Sequence, residues 1–182
     1  MQECIKTLIE NGHQFDVVVL NAGVCRPAQS RTINDYETTF QVNYLSQYLI
    51  AQHLINNQTH PIKIVTLNST IYTLCDLIHV PKKDTKWLSM FNDTTNYLKA
   101  YALSKFAMAL LAQSFNQQGV KAASVHPGIV PTSIVTNSVS KISKVSQMLI
   151  KCAMKNRFIS AGQAAENVVY CVENVITEDS YY

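Results

Sequence analysis

Glycine is scarce in this chain. The 182 residues include five, Gly12, Gly23, Gly119, Gly128 and Gly162, and no two are close enough to form a glycine-rich turn that cradles phosphates. The five cysteines, Cys4, Cys25, Cys75, Cys152 and Cys171, are scattered singly. No Cys-x-x-Cys occurs and no Cys/His cluster has metal-ligand spacing, so no metal is expected, and the cysteines read as thiols of a reducing compartment. No apolar run reaches the roughly 20 residues of a membrane span. Met1 is followed by Gln2, Glu3 and Cys4 rather than by a basic region and a long apolar block. The start therefore does not read as a secretory signal, and a cytoplasmic location is expected.

Acid is missing from one half. Between Thr94 and Ala165 there is no Asp or Glu, while Lys99, Lys105, Lys121, Lys141, Lys144, Lys151, Lys155 and Arg157 fall there. Such a half suits an anionic ligand or surface, or is an ordinary solvated basic face. It shows no interleaving of aromatic and basic residues, which argues against nucleic-acid binding.

What is present is a globular composition, 47% hydrophobic and 15% charged, with a net charge of +3. The length suits one domain with a sizeable core. Residues 3–11 read as a helix ended by Asn11-Gly12. Phe15 to Leu20 is a short β-branched run, the pattern of a parallel strand buried on both faces. Asp35 to roughly Asn56 reads as a helix with Phe40, Leu45, Tyr48, Leu49 and Ala51 on its apolar stripe and Asn43 inside it. Strands are expected at 62–67 and 120–125, with a long helix over 95–118 between them and Gly119 as its cap. Residues 73–93 look irregular. Residues 133–158 read as one or two basic amphipathic helices, and 164–175 as a last helix. Strands alternating with helices imply an α/β fold with a parallel sheet, whose ligands bind beyond the carboxyl ends of the strands. Those ends are Asn21-Ala22-Gly23, Asn68-Ser69 and Pro127-Gly128.

The long helix carries Tyr101 and Lys105, four residues apart and so on one face. An ammonium close to a phenol favours the phenolate, so Lys105 is expected to draw the Tyr101 pKa from about 10 toward neutrality. Such a Tyr exchanges a proton with a carbonyl or an alcohol at physiological pH. With nine tyrosines in the chain the pair alone is weak, and it gains weight from its company. Asn is unfavourable within a helix, so Asn43 leans toward a function. Ser69 ends a strand, or is a turn cap. Asn21 and Gly23 open a ligand site, or make a turn. His126 looks more like a packing or backbone-bonding His than a ligand.

Asn21-Ala22-Gly23, Val42-Asn43-Tyr44-Leu45, Ser69, Tyr101 with Lys105, and Pro127-Gly128-Ile129-Val130-Pro131-Thr132 follow in this order on these elements. In order and spacing, over almost the whole chain, this resembles the short-chain dehydrogenase/reductase family. Within the family it looks most like the retinol dehydrogenase and WW-domain oxidoreductase group, by Val42-Asn43-Tyr44-Leu45 and Ser124-Val125-His126-Pro127-Gly128. The resemblance implies a truncated Rossmann-like, doubly wound parallel sheet flanked by helices. It implies Tyr101 as proton donor and acceptor, Ser69 on the substrate oxygen, Lys105 on the nicotinamide ribose, and Asn43 holding a water toward Lys105. Asn21, Ala22 and Gly23 would lie near the adenine ribose and the floor of the cofactor site. Pro127, Gly128 and Thr132 would approach the nicotinamide amide and phosphate. The hydride would come from the cofactor, since no side chain can supply one. NADP(H) is favoured over NAD(H) by the subgroup.

Three departures leave the catalytic groups in place: Leu20 for a first Asn, Asn68 for a second Ser, and Ser46 for Gly. The missing glycine-rich turn is the fourth. It suggests a single partial domain over 1–182 that begins before the family's fourth strand, with very roughly 60–90 residues absent at about 30 per strand-helix-strand unit. The expected partner is a small, hydrophobic alcohol or carbonyl under a flap at 133–160. A packed surface helix, or docking on an anionic membrane surface, is the alternative for that segment. An oligomer is left open. The rival function is a non-catalytic fragment acting through protein–protein contact at an exposed sheet edge.

Overall fold

The computed structural model describes residues 2–77, 96–132 and 157–174, with the single positions 89, 91, 94 and 134. Five helices and three strands organise these residues: α1 (Gln2–Glu10), β1 (Val17–Leu20), α2 (Thr38–Phe40), α3 (Ser46–Asn57), β2 (Lys63–Leu67), α4 (Tyr97–Gln117), β3 (Lys121–Val125) and α5 (Ala161–Asn174). A π-helical turn, Gln41–Leu45, joins α2 to α3, and a 3₁₀ helix, Thr70–Leu77, follows β2.

The strands form a parallel sheet in the order β1-β2-β3, with Val18 beside Ile64 and Ile64 beside Ala122. Alternation along each strand sends side chains to two cores. Ile64 and Ala122 face Ala51, Leu54, Met108, Leu111 and Phe115 of α3 and α4. Val65, Leu67, Ala123 and Val125 face Cys171 of α5, with Val168 and Val172 against them. Helices on both faces are what parallel strands require.

β1 differs from the expectation of burial on both faces. Among the described residues it is an edge strand paired with β2 alone, and Val19 is 41% exposed. Val19 shares the face of Val65, and the α5 contacts run to β2 and β3, so that end of the face stays open.

The helix around Asn43 also differs. The π-turn closes a wider loop than an α-turn, with Ser46 N–H donating to Gln41 O. The extra residue rotates the helix face: Gln47 is buried and Leu49, expected on the apolar stripe, is 41% exposed. Asn96 caps α4 by accepting from the Leu98 and Lys99 amides, and Gly119 closes it at φ +79°. Most of the flap at 133–160 lies outside the described residues, as does most of the stretch 78–95. Among the described residues, no helix is long and apolar enough to cross a membrane, and no His/Cys/Asp/Glu group is arranged to hold a metal.

Candidate active site

A cavity of about 900 Å³ opens beyond the carboxyl ends of the three strands. Asn21, Gly23, Ser69, Tyr101, Lys105, Pro127, Gly128 and Thr132 line it. Two residues expected there do not. Ala22 is exposed and joins the site through its carbonyl, which accepts from Gln47 Nε2 at 2.7 Å. Asn43 is fully buried behind the wall.

The Ser69 and Tyr101 hydroxyls are hydrogen-bonded, an interaction that favours the Tyr101 phenolate. Burial opposes it more strongly, aided by the Cys25 thiol nearby, and the phenol is pushed up to about 12. Lys105, 5% exposed, donates from Nζ to the Leu67 carbonyl at 2.8 Å, and Nζ stands 5.7 Å from the Tyr101 ring centroid. Burial brings the ammonium down to about 8. The expectation that Lys105 pulls Tyr101 toward neutrality is therefore corrected. The ammonium is engaged by the end of β2, and desolvation dominates both groups.

Asn43 does not have its amide hydrogens available for a water. Its Nδ2 donates to Val24 O at 2.9 Å and to Ser104 Oγ at 3.0 Å, while Oδ1 accepts from Val24 N at 2.8 Å. Ser104 Oγ donates onward to Tyr101 O at 2.7 Å, so Asn43 ties the 21–25 loop to the helix of the dyad. Its own carbonyl accepts from Gln47 Nε2 at 2.6 Å. Gly23 leaves open the space between these groups. A Cβ there would lie 3.7 Å from Asn43 Oδ1 and 3.8 Å from Lys105 Nζ. Gly128 has φ +102° and packs under Ile159, and the Ile129–Phe158 bridge holds the two segments together.

His126 lines the cavity half-buried, with a hydrogen bond to the Asn68 main chain, and burial lowers its pKa. Cys25, Gln47 and Ser104 were not singled out by the sequence reading. For the last two a signal existed, because each is a small or neutral polar residue on a helix face that is otherwise apolar.

No family model matches the chain. Curated relatives do. The WW domain-containing oxidoreductase of Drosophila melanogaster is 27% identical over 94% of this chain and 41% of its own length. Retinol dehydrogenase 12 of Mus musculus is 31% identical over 69% of the chain and 39% of its own. The chain thus spans about two fifths of these relatives. Among solved structures, a 3-alpha-hydroxysteroid dehydrogenase from Pseudomonas sp. B-0831, complexed with NADH, matches 99% of the chain and 75% of its own at TM-score 0.73 and 19% identity. An NADPH-bound carbonyl reductase from chicken fatty liver matches at TM-score 0.57 and 16% identity, over 99% of the chain and 66% of its own. These structures share the fold. With the relatives' sequence identity, the chain resembles the short-chain dehydrogenase/reductase family, over about two fifths of these relatives' length.

Proposed function

We propose that these residues carry the chemistry of an NAD(P)-dependent oxidoreductase that interconverts an alcohol and a carbonyl. The observation that carries the reading is the hydrogen-bonded Ser69–Tyr101 pair, with a buried Lys105 one helical turn on, at a cavity over the strand ends. Tyr101 acts as general acid and base at its hydroxyl. Ser69 orients the substrate oxygen toward that hydroxyl. The Lys105 charge steadies the phenolate that forms when the proton leaves.

The residues present fit the nicotinamide end of a dinucleotide. Gly23 leaves room for close approach, and Lys105 offers a buried cation beside it, while Ile159 packs over Gly128. When bound, the cofactor supplies or accepts the hydride, which no side chain here can do. On the cavity wall, Pro127 and Thr132 would approach the nicotinamide amide and phosphate, and Asn21 would lie near the adenine ribose and the floor of the cofactor site. A bed for the pyrophosphate is not offered by these 182 residues, since no glycine-rich turn occurs among them. NADP(H) is proposed over NAD(H) on the resemblance to the retinol dehydrogenase group.

The substrate is proposed to be hydrophobic and lipid-like. Leu67, Ile71, Leu98, Ile129 and Val168 line a cavity of about 900 Å³, near the upper end of the usual range for small-molecule sites. Tyr101→Phe in the natural polypeptide that bears these residues should lower turnover by about 10³-fold or more while leaving nucleotide affinity within about twofold. Turnover near the wild-type rate would overturn the assignment.

A second reading has its own observation. Among the described residues β1 is an apolar strand paired on one side only, so a non-catalytic role through strand pairing with another polypeptide is the alternative. Nucleotide binding with Tyr101-dependent turnover separates the two.

A further inference from the structure

Asn68 uses its side-chain polar atoms on two neighbours at the seam of β2 and β3. Its Oδ1 accepts from the Ser69 amide at 2.7 Å. Its Nδ2 donates to Ser124 Oγ at 2.9 Å. Its own amide donates to Val125 O at 2.7 Å, continuing the ladder one residue past β2. Asn68 is 4% exposed and Ser124 2% exposed, so neither contact competes freely with water. The chain leaves the sheet at the next residue, and there the Ser69 hydroxyl meets Tyr101. A residue leaving a strand has no ladder partner to fix its direction, and here a side chain supplies one. An apolar residue at 68 would leave the Ser69 amide and the Ser124 hydroxyl without these partners inside the fold.

We infer that Asn68 is a positioning residue: bonded to the Ser69 amide and anchored on Ser124, it holds the Ser69 hydroxyl against Tyr101. The inference rests on the proposed oxidoreductase reading and deepens it. Asn68 acts through Ser69, so its removal and the removal of the Ser69 hydroxyl should not add.

The test is a double-mutant cycle in the natural polypeptide, with hydride transfer to a small aldehyde as the readout. Asn68→Ala should lower kcat by up to about 10²-fold, the scale of a misplaced reacting group, with the nucleotide KM within about twofold. In a Ser69→Ala background the same change should alter kcat by less than about twofold. Equal losses in both backgrounds, or wild-type kcat in Asn68→Ala, would overturn the inference. Should Asn68→Ala fold poorly, Asn68→Asp keeps the acceptor for the Ser69 amide and allows Ser124 to donate. It should retain kcat more fully than Asn68→Ser, whose hydroxyl is too short to reach both partners, and the reverse order would count against the clamp. A readout free of catalysis is hydrogen exchange. The Ser69 amide should exchange at least about tenfold faster in Asn68→Ala while the Val65 and Thr66 amides stay protected. Unchanged exchange at Ser69 would also overturn it. Turnover that survives Tyr101→Phe overturns the reading beneath the clamp. Turnover lost in Tyr101→Phe but kept in Asn68→Ala overturns the clamp alone.

Discussion

Lys105 Nζ bonds to the Leu67 carbonyl at 2.8 Å while standing 5.7 Å from the centre of the Tyr101 ring. The last residue of β2 therefore fixes where the site's cation sits. Burial holds Lys105 to about 8 and Tyr101 to about 12, so the phenol is protonated across the physiological range and the ammonium is the group that titrates first.

That order gives a pH dependence with a definite sign. In the proposed chemistry, carbonyl reduction would need the Tyr101 proton, present up to about 12, and the Lys105 charge, present below about 8. The reductive kcat should be flat below pH 8 and fall above it, approaching tenfold per pH unit if neutral Lys105 gives no stabilisation. Lys105→Met should remove the limb and leave a low, flat profile. A limb that persists in Lys105→Met would assign it to another group.

The same burial predicts a stability effect. Lys105 titrates from 10.5 when unfolded to about 8 when folded. Between those values the unfolded chain binds more protons, so stability rises with pH there; below about 8 the penalty of burying the charge is fully present. On the order of 3 kcal/mol is involved at pH 7. Lys105→Met should raise the melting temperature at pH 7, less the loss of the Leu67 bond, and the gain should shrink toward pH 10.5. Measuring both in a Tyr101→Phe background removes the opposing titration of Tyr101. A gain that stays constant from pH 7 to 10 would contradict the buried-charge account.

Much of this arrangement was legible in the sequence, for physical reasons that differ by residue. The β-branched runs at 17–20 and 63–67 marked strands, and Gly119 marked the end of α4 because a left-handed closing residue is a local requirement; the Asn96 cap at its start was not singled out. Ser69, Tyr101 and Lys105 were recognised as a set by type and order. What failed was whatever depends on surroundings. The exposure of Val19 follows from how far α5 reaches across the sheet. The inward turn of Gln47 follows from the extra residue in the π-turn, which no periodicity announces. The direction of the Tyr101 shift follows from burial, and spacing along a helix carries no information about burial.

Gly128 offers a test of close packing at the cavity wall. Its φ of +102° disfavours any side chain, and a methyl group there would collide with Ile159 Cδ1. Gly128→Ala should destabilise by about 1–3 kcal/mol from backbone strain plus whatever Ile159 cannot absorb by rotating. Ile159→Val, which removes the colliding methyl, should restore the steric part and leave the backbone part. Chemical denaturation of the two single variants and the double variant measures the split. Complete rescue by Ile159→Val would mean that the backbone conformation carries no strain.

The last prediction concerns the 182 residues expressed alone. β1 is four residues, Val17-Val18-Val19-Leu20, with no Lys or Pro; among the described residues it pairs on one side only, and Val19 is partly exposed. An edge of this kind pairs readily with another chain. The cavity offers Gly23, Lys105 and Gly128 to the nicotinamide end of a dinucleotide, but the chain holds no glycine-rich turn for the pyrophosphate. Much of the binding energy of a dinucleotide comes from that phosphate bed, so the chain alone should bind NADPH and NADH very weakly or undetectably. Calorimetric titration of each nucleotide checks this, and a Kd in the low micromolar range would show that these 182 residues supply a phosphate site without a glycine-rich turn. Val19→Lys places a charge on the open edge. Light scattering on concentrated samples should then show slower aggregation with unchanged far-ultraviolet circular dichroism. Equal aggregation by both proteins would locate the sticky surface away from β1.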